Sequence, residues 1–140
     1  MKFHKLLIIL ICLLSLSAIA SLAHANVVNE SLYLSPRYQY TAAISTSLDI
    51  CGGQAIASGR IDPNSLMRTS VVVKLQRLES GAWKTIRTWT DSNTAGASEA
   101  GGTKAVDSGY DYRVHVTGKV YNTSGVVLET VTMTSSTKSY

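Results

Sequence analysis

Cysteine and histidine are scarce in this sequence, which has two cysteines and three histidines in 140 residues. Cys12, His4 and His24 lie in an N-terminal leader described below, so the rest of the chain holds only Cys51 and His115. A single cysteine cannot form an intrachain disulfide, and one cysteine with one histidine falls short of the four ligands of a structural zinc site. We therefore expect no zinc and no other cofactor, and a domain that its hydrophobic core alone must stabilise.

Cys51 has two interpretations. It can form a disulfide with a second chain, or it can be a small buried apolar residue. We favour burial, because free cysteines are among the most buried residue types. This interpretation predicts a thiol hidden from solvent.

An excess of one charge is also absent. Lys2 and Lys5 leave with the leader, so 11 basic and 9 acidic residues remain, a net charge of +2. The basic residues are spread along the chain and interleaved with acids. Nucleic-acid binders instead concentrate positive charge on one face or helix, so we expect no nucleic-acid partner.

The one long hydrophobic run lies at the N-terminus. Basic residues precede an unbroken apolar stretch, 6–14, and Ala23 and Ala25 are small residues at the positions that a signal peptidase requires. We predict that residues 1–25 are a signal peptide, cleaved between Ala25 and Asn26. No second apolar run of about 18 residues follows, so we expect no transmembrane segment in the mature chain. The predicted location is extracellular, either free or associated with a cell wall.

The 115 residues that remain are enough for one domain, and we predict a lead-in over 26–37 followed by the domain over 38–140. Within the domain, polar and apolar residues alternate with the period of a β-strand, and no helical period occurs. Clusters of glycine, proline, asparagine and aspartate separate the alternating segments and predict turns. The seven predicted strands are 38–50, 54–61, 70–78, 82–90, 103–106, 110–120 and 126–134, with a loop over 91–102.

Short antiparallel strands with regularly spaced turns are typical of a two-sheet sandwich. We predict an all-β fold, a single seven-stranded antiparallel immunoglobulin-like β-sandwich that follows the signal peptide. Tyr110, just ahead of the sixth strand, supports this architecture. Its hydroxyl can bond back to an upstream loop, as the tyrosine corner of such sandwiches does.

Alternation also predicts which residues face the core. The core face of the second strand comprises Ala55, Ala57, Gly59 and Ile61. The core face of the first comprises Tyr38, Tyr40, Ala42, Ile44, Thr46, Leu48 and Ile50. In the last strand two registers stay open, one with Val127, Val131 and Met133 inside and one with Val126 and Leu128 inside. Glu129 shares the parity of the first register, which makes the choice ambiguous.

His115 is the one candidate for a catalytic histidine. It lies on the polar face of the sixth strand, four residues after Asp111 and two after Arg113. We expect these charges to pair across a solvent-exposed surface, which contributes little to stability. A serine hydrolase with a nucleophile elbow would need a Gly-x-Ser-x-Gly segment, and none occurs. A small hydrolase is therefore the weaker hypothesis, and we expect no enzyme.

The segment Asp91-Ser-Asn-Thr-Ala-Gly96 is similar to the start of a calcium-binding loop, with oxygen-bearing side chains two residues apart before a glycine. The bidentate acid that completes such a loop is absent, because its position holds Gly102. We interpret the segment as an ordinary turn in which an Asp or Asn side chain bonds the backbone.

Two tryptophans are candidate ligand contacts. Trp83 and Trp89 share one parity of the fourth strand, whereas Ile86, a natural core residue, has the other. With regular alternation at least one indole lies outside the core, where Arg87 can stack on Trp89. Trp83, Arg87 and Trp89 could then hold a sugar ring by stacking. The alternative, which we favour, is that Trp83 closes the hairpin end and Trp89 covers an open sheet edge.

Five segments carry a family resemblance: Tyr38–Leu48, Val73–Gln76, Trp83–Trp89, Gly109–Val114 and Glu129–Thr132. With these, nearly the whole mature chain resembles a set of small, uncharacterised secreted proteins of Gram-positive bacteria. Gly109–Val114 is also similar to the corresponding strand of fibronectin type III and immunoglobulin-like domains. The resemblance implies a sandwich architecture and carries over no functional residues, because no activity is attached to the family.

These observations favour a secreted, non-enzymatic module that binds or assembles outside the cell through loops or an open sheet edge. The expected partner is an extracellular protein or a cell-wall glycan. Two alternatives stay open: a carbohydrate-binding module that uses Trp83 and Trp89, and a small antimicrobial or signalling factor.

Overall fold

The computed structural model describes residues 38–140, so the predicted signal peptide, its cleavage site at Ala25 and Asn26, and the lead-in over 26–37 lie outside the described residues. The described part is all-β, with eight strands and no helix. The eight strands are β1 (Thr41–Cys51), β2 (Gln54–Pro63), β3 (Arg68–Glu79), β4 (Ala82–Asn93), β5 (Ser98–Ala105), β6 (Asp111–Tyr121), β7 (Val127–Thr134) and β8 (Lys138–Ser139).

The strands form two antiparallel sheets. One has three strands in the order β1-β2-β5, and the other has the order β4-β3-β6-β7 with the short β8 paired to β6. The prediction of an all-β antiparallel fold is confirmed. The strand count of seven is wrong by one, because the predicted strands end at Thr134 and β8 adds a two-residue pairing beyond it.

Small residues let the two sheets approach closely. In β2, Ala55, Ala57 and Ile61 are buried, and Gly59 lies between them on the same face, as the alternation predicts. A Cβ on Gly59 would come within 2.5 Å of a methyl group of Val116 in the opposite sheet. Packing of this density leaves no room for an added methyl group, so the glycine is part of the core.

The predicted loop over 91–102 is wrong, because β4 continues to Asn93 and β5 already begins at Ser98. Ser98 and Ala100 are buried, and a Cβ on Gly101 would collide with the carbonyl oxygen of Ala57 on β2. The small residues that look like a loop in the sequence are therefore there because the strand lies in a tight space. Only four residues, 94–97, connect the two strands.

A bulge alters the face of β1. The register of the β1–β2 pair shifts between Thr41 and Ala43, which turns Thr41 inward and leaves Ala42 exposed. The predicted core face is therefore wrong at Ala42 and correct at Ile44 and Leu48, which are buried. A bulge adds one unpaired residue and so reverses the parity on one side of it.

The hairpin after β1 has the predicted glycine turn, with φ of 55° at Gly52 and 76° at Gly53. Two consecutive positive φ angles are what a tight two-residue hairpin needs. Cys51 pairs with Gln54 across this turn and its side chain is exposed. The prediction of a buried thiol is therefore wrong, because the strand end lies beyond the edge of the core.

In β7, Val131 is buried and Met133 packs against the core, as the first register predicts. Val127 is exposed instead, because the β6–β7 pairing shifts between Val120 and Tyr121. Glu129 has the same parity and accepts hydrogen bonds from the backbone amides of Gln39 and Tyr40, at 3.0 and 3.2 Å. It also accepts a bond of 2.7 Å from the hydroxyl of Thr41. The inward carboxylate is thus satisfied by the start of β1, which resolves the ambiguity of the sequence pattern.

The tyrosine that bonds back to an upstream loop is Tyr112, not Tyr110 as the sequence suggested. Tyr112 is fully buried in β6, and its hydroxyl donates a 2.7 Å hydrogen bond to the carbonyl oxygen of Asp107. Tyr110 lies before the strand, exposed, with the guanidinium of Arg77 4.4 Å from its ring centroid. The difference arises because Tyr112, two residues further on, has the parity of the core residue Val114.

We predict that Tyr112→Phe lowers the free energy of unfolding by about 1 to 2 kcal/mol, because it removes a buried hydrogen bond and leaves a carbonyl unsatisfied. Urea unfolding followed by circular dichroism measures the change. Tyr110→Phe is the matched control, since its hydroxyl makes no hydrogen bond within residues 38–140 and its ring stays under Arg77. Equal stabilities of the two variants would contradict the proposed role of the Tyr112 hydroxyl.

Candidate functional site

The outer face of the larger sheet carries a group of basic side chains. Arg113, His115 and Lys119 alternate along β6 on the side away from the buried valines, and each is half-buried. Lys74 of β3 lies directly opposite His115, with the same outward parity. We call the surface formed by Lys74, Arg113, His115 and Lys119 the cationic face.

Hydroxyl groups surround these cations. The pairing of β4, β3, β6 and β7 lines up outward residues in rows, for example Thr90 with Val72, Val72 with Thr117, and Thr117 with Thr132. Side chains directly opposite each other on neighbouring strands are about 5 Å apart. The outward hydroxyl residues of the four strands are Ser70, Thr85, Thr88, Thr90, Ser92, Thr117, Thr130, Thr132 and Thr134.

The cations of this face have no carboxylate partner in the described part of the chain. The salt bridges there are made by Arg60, Arg77, Lys84 and Lys138, and none involves Lys74, Arg113 or Lys119. Their positive charge is therefore not neutralised within residues 38–140.

The expected pairing of Asp111 with Arg113 is wrong. The Nε of Arg113 instead donates a 2.8 Å hydrogen bond to the amide oxygen of Gln76, opposite it on β3. Asp111 accepts a bond of 2.6 Å from the hydroxyl of Ser139 at the far end of the sheet. The geometry favours the neighbour across the strands over the neighbour along the strand, because Gln76 and Arg113 are directly opposite each other.

His115 lies at the centre of the cationic face. Its Nδ1 is 2.9 Å from the hydroxyl oxygen of Thr134 on β7. Partial burial lowers the pKa of His115, and the positive charges of Arg113 and Lys74 lower it further. Within residues 38–140 no hydrogen bond joins His115 to a carboxylate, whereas a hydrolytic triad needs an acid that orients the imidazole. The groups that surround His115 are thus the cations Lys74 and Arg113 and the hydroxyl of Thr134.

Trp83 and Trp89 lie on opposite faces of β4. The β3–β4 register shifts between Leu75 and Gln76, which leaves Ile86 as an unpaired bulge between the two indoles. Trp83 is opposite Leu78 on the outer side, whereas Trp89 is opposite the buried Val73. The pair cannot form one platform for a sugar, because the bulge reverses the parity between them.

Each indole also has a neighbour that covers it. The guanidinium of Arg113 lies 4.3 Å from the ring centroid of Trp83. Trp89 packs against the core, a Cβ on Gly102 would lie 2.7 Å from its Nε1, and Arg87 lies over its ring at 5.8 Å. This arrangement matches the interpretation in which Trp83 closes the hairpin end and Trp89 covers a sheet edge. Trp83 alone adjoins the cationic face.

The outer face of the smaller sheet carries acids that are paired with bases. Asp49, Asp62 and Glu99 point outward from its three strands, and Arg60 bonds both Asp62 and Glu99. The hydrogen bond from Lys138, together with the Ile50 amide, lowers the pKa of Asp49. Acids and bases therefore neutralise each other on this side of the molecule, in contrast to the cationic face.

In and beside the turn after β4, oxygen-bearing side chains accept hydrogen bonds from backbone amides. The side-chain oxygen of Asn93 accepts a 3.1 Å bond from the Ala95 amide, and Asp91 accepts one of 3.2 Å from the Glu99 amide. The Asn93–Ala95 bond is a contact of the turn that the sequence predicted, whereas the Asp91–Glu99 bond joins β4 to β5. Among residues 38–140, no three or more His, Cys, Asp or Glu side chains form a group that could hold a metal ion.

No known family model, curated protein or solved structure matches this chain. Within residues 38–140, no helix is long and apolar enough to cross a membrane. The cationic face is thus identified from geometry alone. Alternation along β6 already places Arg113, His115 and Lys119 on one face, but the sequence does not show that Lys74 joins them, because Lys74 reaches His115 only through the β3–β6 pairing.

We predict that the stability of the protein falls as the pH drops below about 6.5, and that His115→Gln reduces this fall. The lowered pKa of folded His115 means that the unfolded chain binds the proton more readily, so acid favours unfolding. The effect stays below the roughly 1.4 kcal/mol per pH unit of one full proton. Urea unfolding between pH 7.5 and 5 measures it, and parallel curves for both proteins would contradict the prediction.

Proposed function

We propose that the protein is a secreted, non-enzymatic binding module whose ligand is a flexible anionic polymer outside the cell. The observation that carries the proposal is the set of three cations, Lys74, Arg113 and Lys119, on one flat face without carboxylate partners in the described residues. Positive groups of this kind raise the local concentration of anions and favour their binding.

The spacing of the cationic face suits an extended chain of charges. Arg113 to Lys119 spans six residues of β6, or about 20 Å at the rise of a β-strand. Lys74 widens the positive strip by one strand, and the surrounding threonines offer hydroxyl donors to anionic oxygens. A polymer with repeated phosphate or carboxylate groups could contact all three cations at once, whereas a single small anion could not.

The wider architecture that we propose is an immunoglobulin-like sandwich. The order β1-β2-β5 facing β4-β3-β6-β7 supports it, as does the bond from the Tyr112 hydroxyl to Asp107. Secretion through the signal peptide 1–25, and the likeness to small Gram-positive proteins, stay predictions from the sequence. They support a polymer of the cell wall as the partner.

The first experiment measures binding of the mature chain, 26–140, to linear polyphosphate, polyglutamate and neutral dextran by calorimetry. We expect both polyanions to bind and dextran not to bind. Three cation contacts predict that the logarithm of the affinity falls with the logarithm of the salt concentration with a slope of about −2. Binding of dextran with equal affinity, or an affinity independent of salt, would contradict the electrostatic mechanism.

The site is tested by the double variant Lys74→Gln/Lys119→Gln. We expect affinity for the polyanions to fall about 30-fold, since each cation near an anionic surface contributes about 1 kcal/mol. The matched control is Lys104→Gln/Arg87→Gln, which removes the same charge from residues outside the cationic face. If only the control variant lost affinity for the polyanions, the binding site would lie at the β4 edge beside Trp89 and not on the cationic face.

His115 adds a pH dependence to the proposed binding. Protonation gives the cationic face a fourth positive charge, and a bound anion stabilises that charge. We therefore expect affinity for polyphosphate to rise as the pH falls below about 6.5, and His115→Gln to abolish the rise while binding at pH 7.5 is retained. A rise of equal size in the variant would show that His115 takes no part.

Carbohydrate binding is the second candidate, supported by Trp83 beside the hydrogen-bonded pair of Gln76 and Arg113. Stacking on a sugar would require Arg113 to leave the indole, so Trp83 fluorescence should change when a neutral wall polysaccharide binds. The variant Trp89→Phe isolates that signal. An unchanged spectrum across neutral polysaccharides would exclude this alternative and leave the anionic ligand.

A further inference from the structure

Each side of the two-sheet domain shows a pair of edge strands. β1 contacts β7 on one side and β5 contacts β4 on the other, and these four are the outermost strands of their sheets. The backbone groups on the far side of an edge strand can pair with a strand of another chain. The four edges differ in the charges that they carry.

The side formed by β4 and β5 carries exposed charges. In β4, Lys84, Arg87 and Asp91 are exposed. In β5, Glu99 and Lys104 are exposed. The amide of Glu99 also donates a hydrogen bond to Asp91, which joins β5 to β4 on this side. Charged side chains on an edge strand oppose pairing with another chain, so this side is poorly suited to it.

The edge of β7 lacks such free charges. Its one charged residue is Glu129, whose carboxylate accepts hydrogen bonds from two backbone amides and a hydroxyl at the start of β1. Among residues 38–140, strand pairing joins β7 to β6 alone, so the far edge of β7 has no strand partner there. Alternate residues of the strand form an exposed, uncharged outer row: Thr130, Thr132 and Thr134.

The edge of β1, on the same side, is less suited to pairing. Its outward residues are Ala43, Ser45, Ser47 and Asp49. β-branched residues such as threonine are enriched in strands, whereas alanine and aspartate are depleted. The threonine row therefore makes β7 the better pairing strand of the two.

We propose that β7 pairs in antiparallel fashion with β7 of a second copy of this chain, which joins the two larger sheets into one. A twofold axis sets the strand opposite itself, so a charge on its outer row would face a like charge. The outer row of β7 avoids that repulsion. Threonine pairs on neighbouring strands are favourable, since each hydroxyl both donates and accepts hydrogen bonds. A second copy is therefore the partner that this edge fits.

The cationic faces of the two copies do not prevent this pairing. The two β7 strands would separate the β6 strands of the two copies by three spacings between neighbouring strands, or about 14 Å. The Debye length is about 8 Å at physiological salt, so repulsion across that distance is largely screened. The proposal does not rest on the polymer-binding function, because it depends on the edge of the sheet and not on the cations.

The first experiment measures the mass of the mature chain, 26–140, by sedimentation equilibrium. It uses the Cys51→Ser variant, because the exposed thiol could otherwise link two chains by a disulfide. A single pair of short strands is a small interface, so we expect a reversible dimer that becomes populated at about 100 µM. A monomer at every concentration up to about 1 mM would overturn the proposal.

The edge is tested by Thr130→Lys/Thr132→Lys in the same background. We expect the dimer dissociation constant to rise about tenfold or more, because like charges opposite each other destabilise strand pairing. The matched control is Thr90→Lys/Ser92→Lys, which adds the same charge to the same two cross-strand rows at the β4 edge. The control should dimerise like the parent, and circular dichroism should stay unchanged in both variants. An equal rise in both, or a rise in the control alone, would overturn the assignment to β7.

Hydrogen exchange identifies the paired strand directly. The β7 amides directed away from β6 should exchange more slowly as the protein concentration rises, because pairing engages them, and the β7 double variant should lose this protection. Exchange of these amides that does not depend on concentration would overturn the proposal, since the edge would then be either free or covered by its own chain. Concentration-dependent protection of β1 amides in place of β7 amides would overturn it by moving the interface to the smaller sheet.

Discussion

The close approach of the two sheets is the constraint on which the rest of the structure depends. Gly59 of β2 lies against Val116 of β6, and Gly118 of β6 lies against Ile61 of β2. A Cβ added to either glycine would come within 2.5 Å of the side chain opposite it. The two glycines are reciprocal, since each sheet supplies a gap for a branched side chain of the other. A domain without an intrachain disulfide obtains its stability from such packing.

Most of this core was predictable from the sequence, because alternation is a local property. The core face of β2 and the outward placement of His115 on β6 follow directly from a period of two, and both are correct in the structure. The errors at Ala42 and in the relation of Trp83 to Trp89 have one cause. Each lies at or beyond a bulge, and a bulge depends on the partner strand, which a single strand's sequence does not contain.

The strand β5 illustrates a second limit of prediction from the sequence. Its glycines, serine and alanine have the composition of a loop, and only the positions of Ala57 and Trp89 explain why larger residues do not fit there. The cationic face was hidden for a related reason. Lys74 is about forty residues from His115 in the chain, so its place opposite His115 follows from the β3–β6 pairing and not from sequence spacing.

The inner and outer faces of the larger sheet carry different kinds of side chain. Because the inward side chains stabilise the fold, the outer face can hold Lys74, Arg113 and His115 close together without a compensating acid among residues 38–140. Partial burial lowers the pKa of His115, and repulsion from Arg113 and Lys74 lowers it further and costs some stability. An anionic ligand would remove that cost on binding. Repulsion in the free protein and attraction for a polyanion are thus two consequences of one charge arrangement, and a substitution that relieves the first weakens the second.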